Sequence, residues 1–133
     1  MVAEDADLPL VQGWRELLTV HARTWCALDR ELARHGLSAS EFEILDRLVE
    51  AEGADARVQD LAAAAHLSQS AVSRLIGRLE RDGLVARAMC VQDRRGIQVC
   101  LTPAGHARHA EALSTHRAVL AEMMTAPDPG PPQ

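Results

Sequence analysis

The sequence predicts a mainly α-helical fold carrying one small β-hairpin, and three observations lead there. Apolar residues recur at helical spacing along most of the chain, with start and stop signals between the runs. One short stretch breaks that rhythm: Ile97, Val99 and Leu101 alternate with Gln98 and Cys100, the period of a half-buried strand. Between Leu61 and Leu101 the elements fall in the order helix, turn, helix, corner and hairpin, the order of a winged helix-turn-helix.

In chain order, residues 1–8 read as a flexible acidic arm. A long helix is expected from about Pro9 to Gly36 (residues 9–36). Val11, Trp14, Leu18, His21, Trp25, Leu28 and Leu32 make a heptad-like seam, which Leu10 and Leu17 widen. Such a face must be buried, in the chain's own domain or in a partner. Gly36 stands where a left-handed C-cap is expected. In Leu37-Ser38-Ala39-Ser40-Glu41-Phe42, Ser38 and Glu41 form a capping box, and Leu37 and Phe42 a hydrophobic staple. Phe42, Leu45, Leu48 and Val49 should face the core.

Glu52 to Ala56 reads as a loop. A short helix then runs from about Val58 to Ala65, and its four consecutive Ala permit close packing. The turn His66-Leu67-Ser68 precedes a helix from about Gln69 to Arg81, which Ser68 can cap. Val72, Leu75, Ile76 and Leu79 form its apolar face. At about 100° per residue, Ser70, Ser73, Arg74, Gly77 and Arg81 fall opposite. After the corner Asp82-Gly83, strands flank the polar tip Gln92-Asp93-Arg94-Arg95-Gly96. A turn centred on Asp93-Arg94 would set Cys100 roughly opposite Arg87. Thr102 caps a last helix with Pro103 in its first position, running to about Met124 with Leu113, Val119, Leu120, Met123 and Met124 as its apolar residues. Residues 127–133 read as a disordered, proline-rich tail. The domain division is therefore 9–36 and 102–126 as dimerisation helices around a reading head at 37–101.

The face of the Gln69–Arg81 helix suits a DNA major groove. Small residues let its N-terminal end approach the base edges, and Arg can hold phosphates. The candidates are Ser68, Gln69, Ser70, Ser73, Arg74 and Arg78. Gln69, whose amide both donates and accepts, is the best single candidate for a base edge. The same Ser and Arg residues can equally do no more than solvate an amphipathic helix. The hairpin tip weighs against that plain reading. A guanidinium projecting beside the helix can reach phosphates or a narrow minor groove, and Asp93 can order it through a bidentate pair.

The strings LSQSAVSRLIGRLERDGLVAR, DRRG and VCLTPAGHA resemble the MarR transcriptional regulators. The Asp-x-Arg wing at Asp93-Arg94-Arg95 and the Leu-Thr-x-x-Gly lead-in at Leu101–Gly105 carry the resemblance, which spans roughly residues 10–124. It implies that Gln69, Ser70, Ser73 and Arg74 face the major groove. Arg95 would enter the minor groove and Arg94 would meet phosphate. It also implies a homodimeric repressor on a palindromic operator of double-stranded DNA, released by a small-molecule ligand. A two-fold dimer reads half-sites about one helical turn apart or a multiple of it. Members of the family usually carry one more C-terminal helix in the dimer interface; a proline-rich stretch stands at that point here.

Composition is compatible with this. The chain has 133 residues, 47% of them hydrophobic, as expected of one folded domain. Its net charge of −5 is unevenly spread. Residues 1–65 hold 13 acids and 6 Arg (−7), residues 66–96 hold 3 acids and 6 Arg (+3), and residues 97–133 hold 3 acids and 2 Arg (−1). The basic segment is the reading head, so phosphate attraction is a local field. No secretory signal and no run long enough to span a membrane is expected. Three Cys without a pairable pattern fit a reducing cytoplasm.

What the chain senses is left with alternatives. Trp14, His21, Trp25 and Cys26 cluster along the first seam and could bind an aromatic ligand, including an anionic one. Large residues can as well simply fill a dimer core. Cys26 invites a redox reading, but peroxide-sensing family members use Tyr partners and this chain has no Tyr. His106, His109 and His116 invite a zinc reading. Zinc-sensing members add His and Glu from the second helix, which here offers only Glu41 and Glu43, and the His then read as strays on an exposed face. No cofactor is called for. No nucleophile–base pair or phosphate loop points to an enzyme. The rival to a DNA-binding regulator is a winged helix that serves a protein partner.

Overall fold

A computed structural model of the chain describes residues 2–51, 56–89 and 97–125. Five helices and a two-stranded antiparallel sheet are described: α1 (Val2–Leu32), α2 (Ala39–Glu50), α3 (Val58–Ala65), α4 (Gln69–Arg81), β1 (Val85–Met89), β2 (Ile97–Leu101) and α5 (Pro103–Thr125). A 3₁₀ turn, Ala33–His35, extends α1 and ends on Gly36 at φ 73°, the left-handed stop the sequence predicts.

The expected arm at residues 1–8 is corrected. The α1 helix already begins at Val2 and passes through Pro9. The stretch before Pro9 is rich in Ala and acids, which favour a helix N-terminus. Pro9 forfeits one backbone bond without ending the run.

Local signals set the other helix starts. Ser38 Oγ accepts from the Glu41 amide at 3.0 Å, and Glu41 Oε1 accepts from the Ser38 amide at 2.9 Å, closing the capping box. Asp29 Oδ1 adds a longer tie, accepting from the Ala39 amide at 2.7 Å and fixing the angle between α1 and α2. The α3–α4 turn places His66 at φ 59°, a left-handed position more often filled by glycine.

The core gathers around α2, which touches α1, α3, α4, α5 and β2. Phe42, Ile44, Leu45 and Leu48 meet Leu28 and Leu32 of α1, Leu61 of α3, Val72, Ile76 and Leu79 of α4, and Val85 and Val99 of the strands. Ile44 is fully buried and was not among the predicted core residues; Val49, which was, is half-buried.

The strands pair Val85 with Leu101, Ala86 with Cys100 and Arg87 with Val99. Cys100 therefore lies opposite Ala86, one residue away from the expected Arg87. The observed register puts Val85, Val99 and Leu101 on one face, so the apolar side chains share one burial surface; a one-residue slip would divide them between faces. A third short edge joins through the Arg57–Gln98 bridge and the bond from the Val99 amide to the Ala56 carbonyl.

The last helix docks on the Gly83-Leu84 corner that leads into β1. Thr102 Oγ1 accepts from the Gly105 amide at 3.0 Å and donates to the Gly83 carbonyl, while the Thr102 amide donates to the Leu84 carbonyl. Gly105 then lies against the Leu84 backbone, where a Cβ would overlap the carbonyl oxygen. The Leu-Thr-x-x-Gly string thus has a packing reason. Among the described residues, no helix is long and apolar enough to cross a membrane.

Candidate nucleic-acid interface

The α4 helix buries one face and opens the other. Val72, Leu75, Ile76 and Leu79 point inward, while Gln69, Ser70, Ser73, Arg74, Arg78 and Arg81 are exposed. Ser68 Oγ accepts from the Ala71 amide at 3.1 Å and lies 3.3 Å from Ser70 Oγ, so its first task is the helix cap. Its amide neighbours at the helix N-terminus, with the positive end of the dipole, suit a phosphate. Among the described residues, Arg74, Arg78 and Arg81 have no ion-pair partner, whereas Arg87 on β1 is held 3.4 Å from Glu80. Three guanidiniums on one open face are free to meet an anionic ligand. The wing residues Asp93, Arg94 and Arg95 lie outside the described residues.

The four residues nominated for a ligand do not form a closed pocket. His21 and Trp25 stack at 5.8 Å and 19°. Trp25 is half-buried against the core, but Trp14 is 58% exposed and Cys26 is a free, exposed thiol. A groove of about 550 Å³ runs instead between α1 and α5, lined by Ala27, Arg30, Arg34, Thr115, Val119 and Met123 among others. None of Trp14, His21, Trp25 and Cys26 lines it.

Two of the three α5 histidines correct the expectation, whereas His106 is exposed as the sequence predicts. His109 and His116 are each 6% exposed and belong to the inward seam Gly105, His109, Ala112, His116, Val119. Phe42 of α2 is stacked against both rings, at 5.2 Å and 11° from His109 and at 4.3 Å and 25° from His116. His109 Nε2 lies 2.8 Å from Asp46 Oδ1, and Arg117 reaches both oxygens of Asp46 at 3.2 Å. Burial is tolerable because His109 Nε2 pairs with Asp46 and His116 Nδ1 lies 2.7 Å from Arg117 Nη1. The spacing of 4, 3, 4, 3 along that seam was the available signal. Burial raises the Asp46 carboxyl, but the bonds and charges of His109 and Arg117 outweigh it and hold it below the ordinary value. Burial and the Arg117 charge push His116 down, against the opposing pull of Asp46 and Glu43. Among the described residues, no three His, Cys, Asp or Glu side chains group as a metal site.

Comparison with known proteins agrees with this geometry. The MarR family model matches residues 35–96. The repressor YetL of Bacillus subtilis is 30% identical over 97 residues, 73% of this chain; the chain spans 58% of that curated relative. The crystal structure of AbsC, a MarR family transcriptional regulator from Streptomyces coelicolor, superposes with a TM-score of 0.79 at 34% identity, covering 88% of this chain and 80% of that one. Sco3205, a MarR family regulator of the same organism solved in complex with DNA, gives a TM-score of 0.79 at 28% identity, covering 93% and 78%. With its winged helix-turn-helix, open α4 face and these relatives, the chain belongs to the MarR family of transcriptional regulators, not to a family of enzymes.

Proposed function

We propose that the protein is a homodimeric, sequence-specific DNA-binding repressor. It lays α4 in the major groove of a palindromic operator and is released by a small molecule, acting in the cytoplasm beside the chromosome. The observation that carries this reading is the open face of α4, with exposed Gln69, Ser70, Ser73, Arg74 and Arg78 over a fully buried apolar face. In this reading Gln69, Ser70, Ser73 and Arg74 meet base edges, while Ser68 and Arg78 meet phosphate. On the wing, Asp93 orders the tip, Arg94 meets phosphate and Arg95 enters the minor groove. Two curated relatives are repressors, YetL and the homoprotocatechuate degradative operon repressor of Escherichia coli, which supports repression here.

The dimer reading rests on α1. Leu10, Trp14, Leu17 and Leu18 are 46–73% exposed and share one helical stripe that no described residue covers. Residues 9–36 and 102–126 would then join two copies, leaving 37–101 as the reading head. A two-fold pair sets two α4 helices about one turn of DNA apart or a multiple of it. An aromatic ligand against Trp14, His21, Trp25 and Cys26 would sit where this helix meets its partner.

Fluorescence anisotropy tests the reading, with the intergenic DNA beside the protein's own gene as probe, scrambled DNA as control, and two salt concentrations. Selective, salt-dependent binding supports it. Arg95→Ala should then weaken binding with little change in sequence preference and lower the salt slope by about one. Gln69→Ala should relax preference at particular base positions. Equal loss on specific and random DNA for both variants would refute this division of roles. Failure to bind either probe would turn the reading toward a protein partner.

A further inference from the structure

We propose that the α2–α5 junction is a proton-operated latch. Uptake of a proton at His116 Nδ1 removes the acceptor for Arg117, sets two cations against each other and loosens α5 from the lobe that carries α4.

The geometry fixes the protonation state of the closed latch. His116 Nδ1 lies 2.7 Å from Arg117 Nη1. A guanidinium has no acceptor, so this nitrogen must accept and the neutral ring must carry its proton on Nε2. Arg117 Nη1 and Nη2 donate in turn to the two oxygens of Asp46, each at 3.2 Å, and His109 Nε2 lies 2.8 Å from Asp46 Oδ1. One carboxylate of α2 is thereby held three times by α5.

Protonation puts two donors face to face at a distance only a donor–acceptor pair tolerates. The ring has little room to leave, because it is buried and stacked on Phe42, which also stacks on the His109 ring. Arg117, with its side chain 48% exposed, is the partner that can swing into solvent, and it takes two of the three bonds to Asp46 with it. The groups acting on the ring are Arg117 and His109 from α5 and Asp46 and Glu43 from α2. His35 of the 3₁₀ turn is engaged elsewhere, with Thr115 at 2.9 Å. The two acids favour the charged ring, but burial and Arg117 prevail, so the ring stays neutral until the pH falls below the ordinary imidazole value of 6.5. The unfolded ring titrates at that ordinary value. The stabilisation is therefore complete above it and is lost as the pH falls.

The junction links the long helices to the reading head, since α2 touches α5 and also α4 and β2. The consequence for DNA rests on the regulator reading; the consequence for α2–α5 packing does not.

Three measurements on the full chain test the latch. Histidine ring NMR follows His116 from about pH 7.5 to about pH 5. Thermal melts without DNA compare wild type with His116→Asn, whose side-chain oxygen can accept from Arg117 and does not titrate. DNA anisotropy is repeated over the same range. The latch predicts that His116 titrates below the ordinary value and that the Arg117 signals move with it. It also predicts a steeper acid loss of Tm in wild type than in His116→Asn, and an additional loss of DNA affinity in wild type of roughly tenfold for one unit of pKa difference. Titration of His116 at or above the ordinary value, an Asp46–Arg117 contact that survives it, or an unchanged pH dependence in His116→Asn would overturn the proposal. If the variant does not fold, the wild-type ring titration decides. Absence of DNA binding at every pH would count against the regulator reading, and the two DNA-free measurements would still decide the latch.

Discussion

Replacing Gly105 with alanine sets helix propensity against packing. Propensity alone says that alanine inside a helix gains about 1 kcal/mol over glycine. Gly105 stands in the first turn of α5, against the backbone of Leu84. A Cβ there would overlap the Leu84 carbonyl oxygen and approach Leu101 Cδ2 to 3.0 Å. That oxygen cannot retreat cheaply, because it accepts the Thr102 amide at 3.1 Å. Relief requires lifting α5 from the Leu84 backbone, an overpacking cost of about 3 kcal/mol. After the propensity gain, the expected net loss is about 2 kcal/mol, a fall in Tm of roughly 5–10 °C for a domain of this size. Gly77 in α4 is the control, since a Cβ there meets nothing within 4 Å. Gly77→Ala should raise the Tm by a few degrees, following the gain of about 1 kcal/mol. Thermal and urea melts of the two variants, without DNA, test the pair. A Gly105→Ala protein as stable as wild type, or a Gly77→Ala protein destabilised equally, would refute the packing argument.

Other outcomes follow from neighbouring features. Asp46→Ala leaves His109 and Arg117 without their shared carboxylate; with Arg117 partly in water, the expected loss is about 2 kcal/mol, read from urea melts at neutral pH. Because the Asp46 carboxyl is held below its ordinary value of 3.8, its contribution is complete above that value and disappears as the pH falls through the lowered one. Wild type should therefore lose more stability than Asp46→Ala on strong acidification. Trp14→Glu places a charge in the exposed stripe of α1; light scattering should show the proposed dimer shifted to the 14.4 kDa monomer, with an unchanged helical spectrum. A dimer of undiminished strength would move the interface away from that stripe.

Sequence alone determined the features whose causes lie within a few residues. The Ser38–Glu41 box, the Gly36 stop, the Ser68 cap and the Thr102-Pro103 start are short-range bonding patterns, and each stands where the sequence predicts it. The open face of α4 was equally legible, because helical periodicity sorts Val72, Leu75, Ile76 and Leu79 from Ser70, Ser73 and Arg74 without reference to the rest of the fold. Tertiary structure decided what depends on which surfaces meet. The strand register moved by one residue from the expected pairing because Val85, Val99 and Leu101 had to share a buried face. His109 and His116 read as solvent-facing strays, yet they are core residues: Phe42 stacks on both rings, Asp46, 63 residues away, partners His109 Nε2, and the adjacent Arg117 partners His116 Nδ1. A histidine's cost of burial is set by its partners, and those partners are brought together only when α2 and α5 pack.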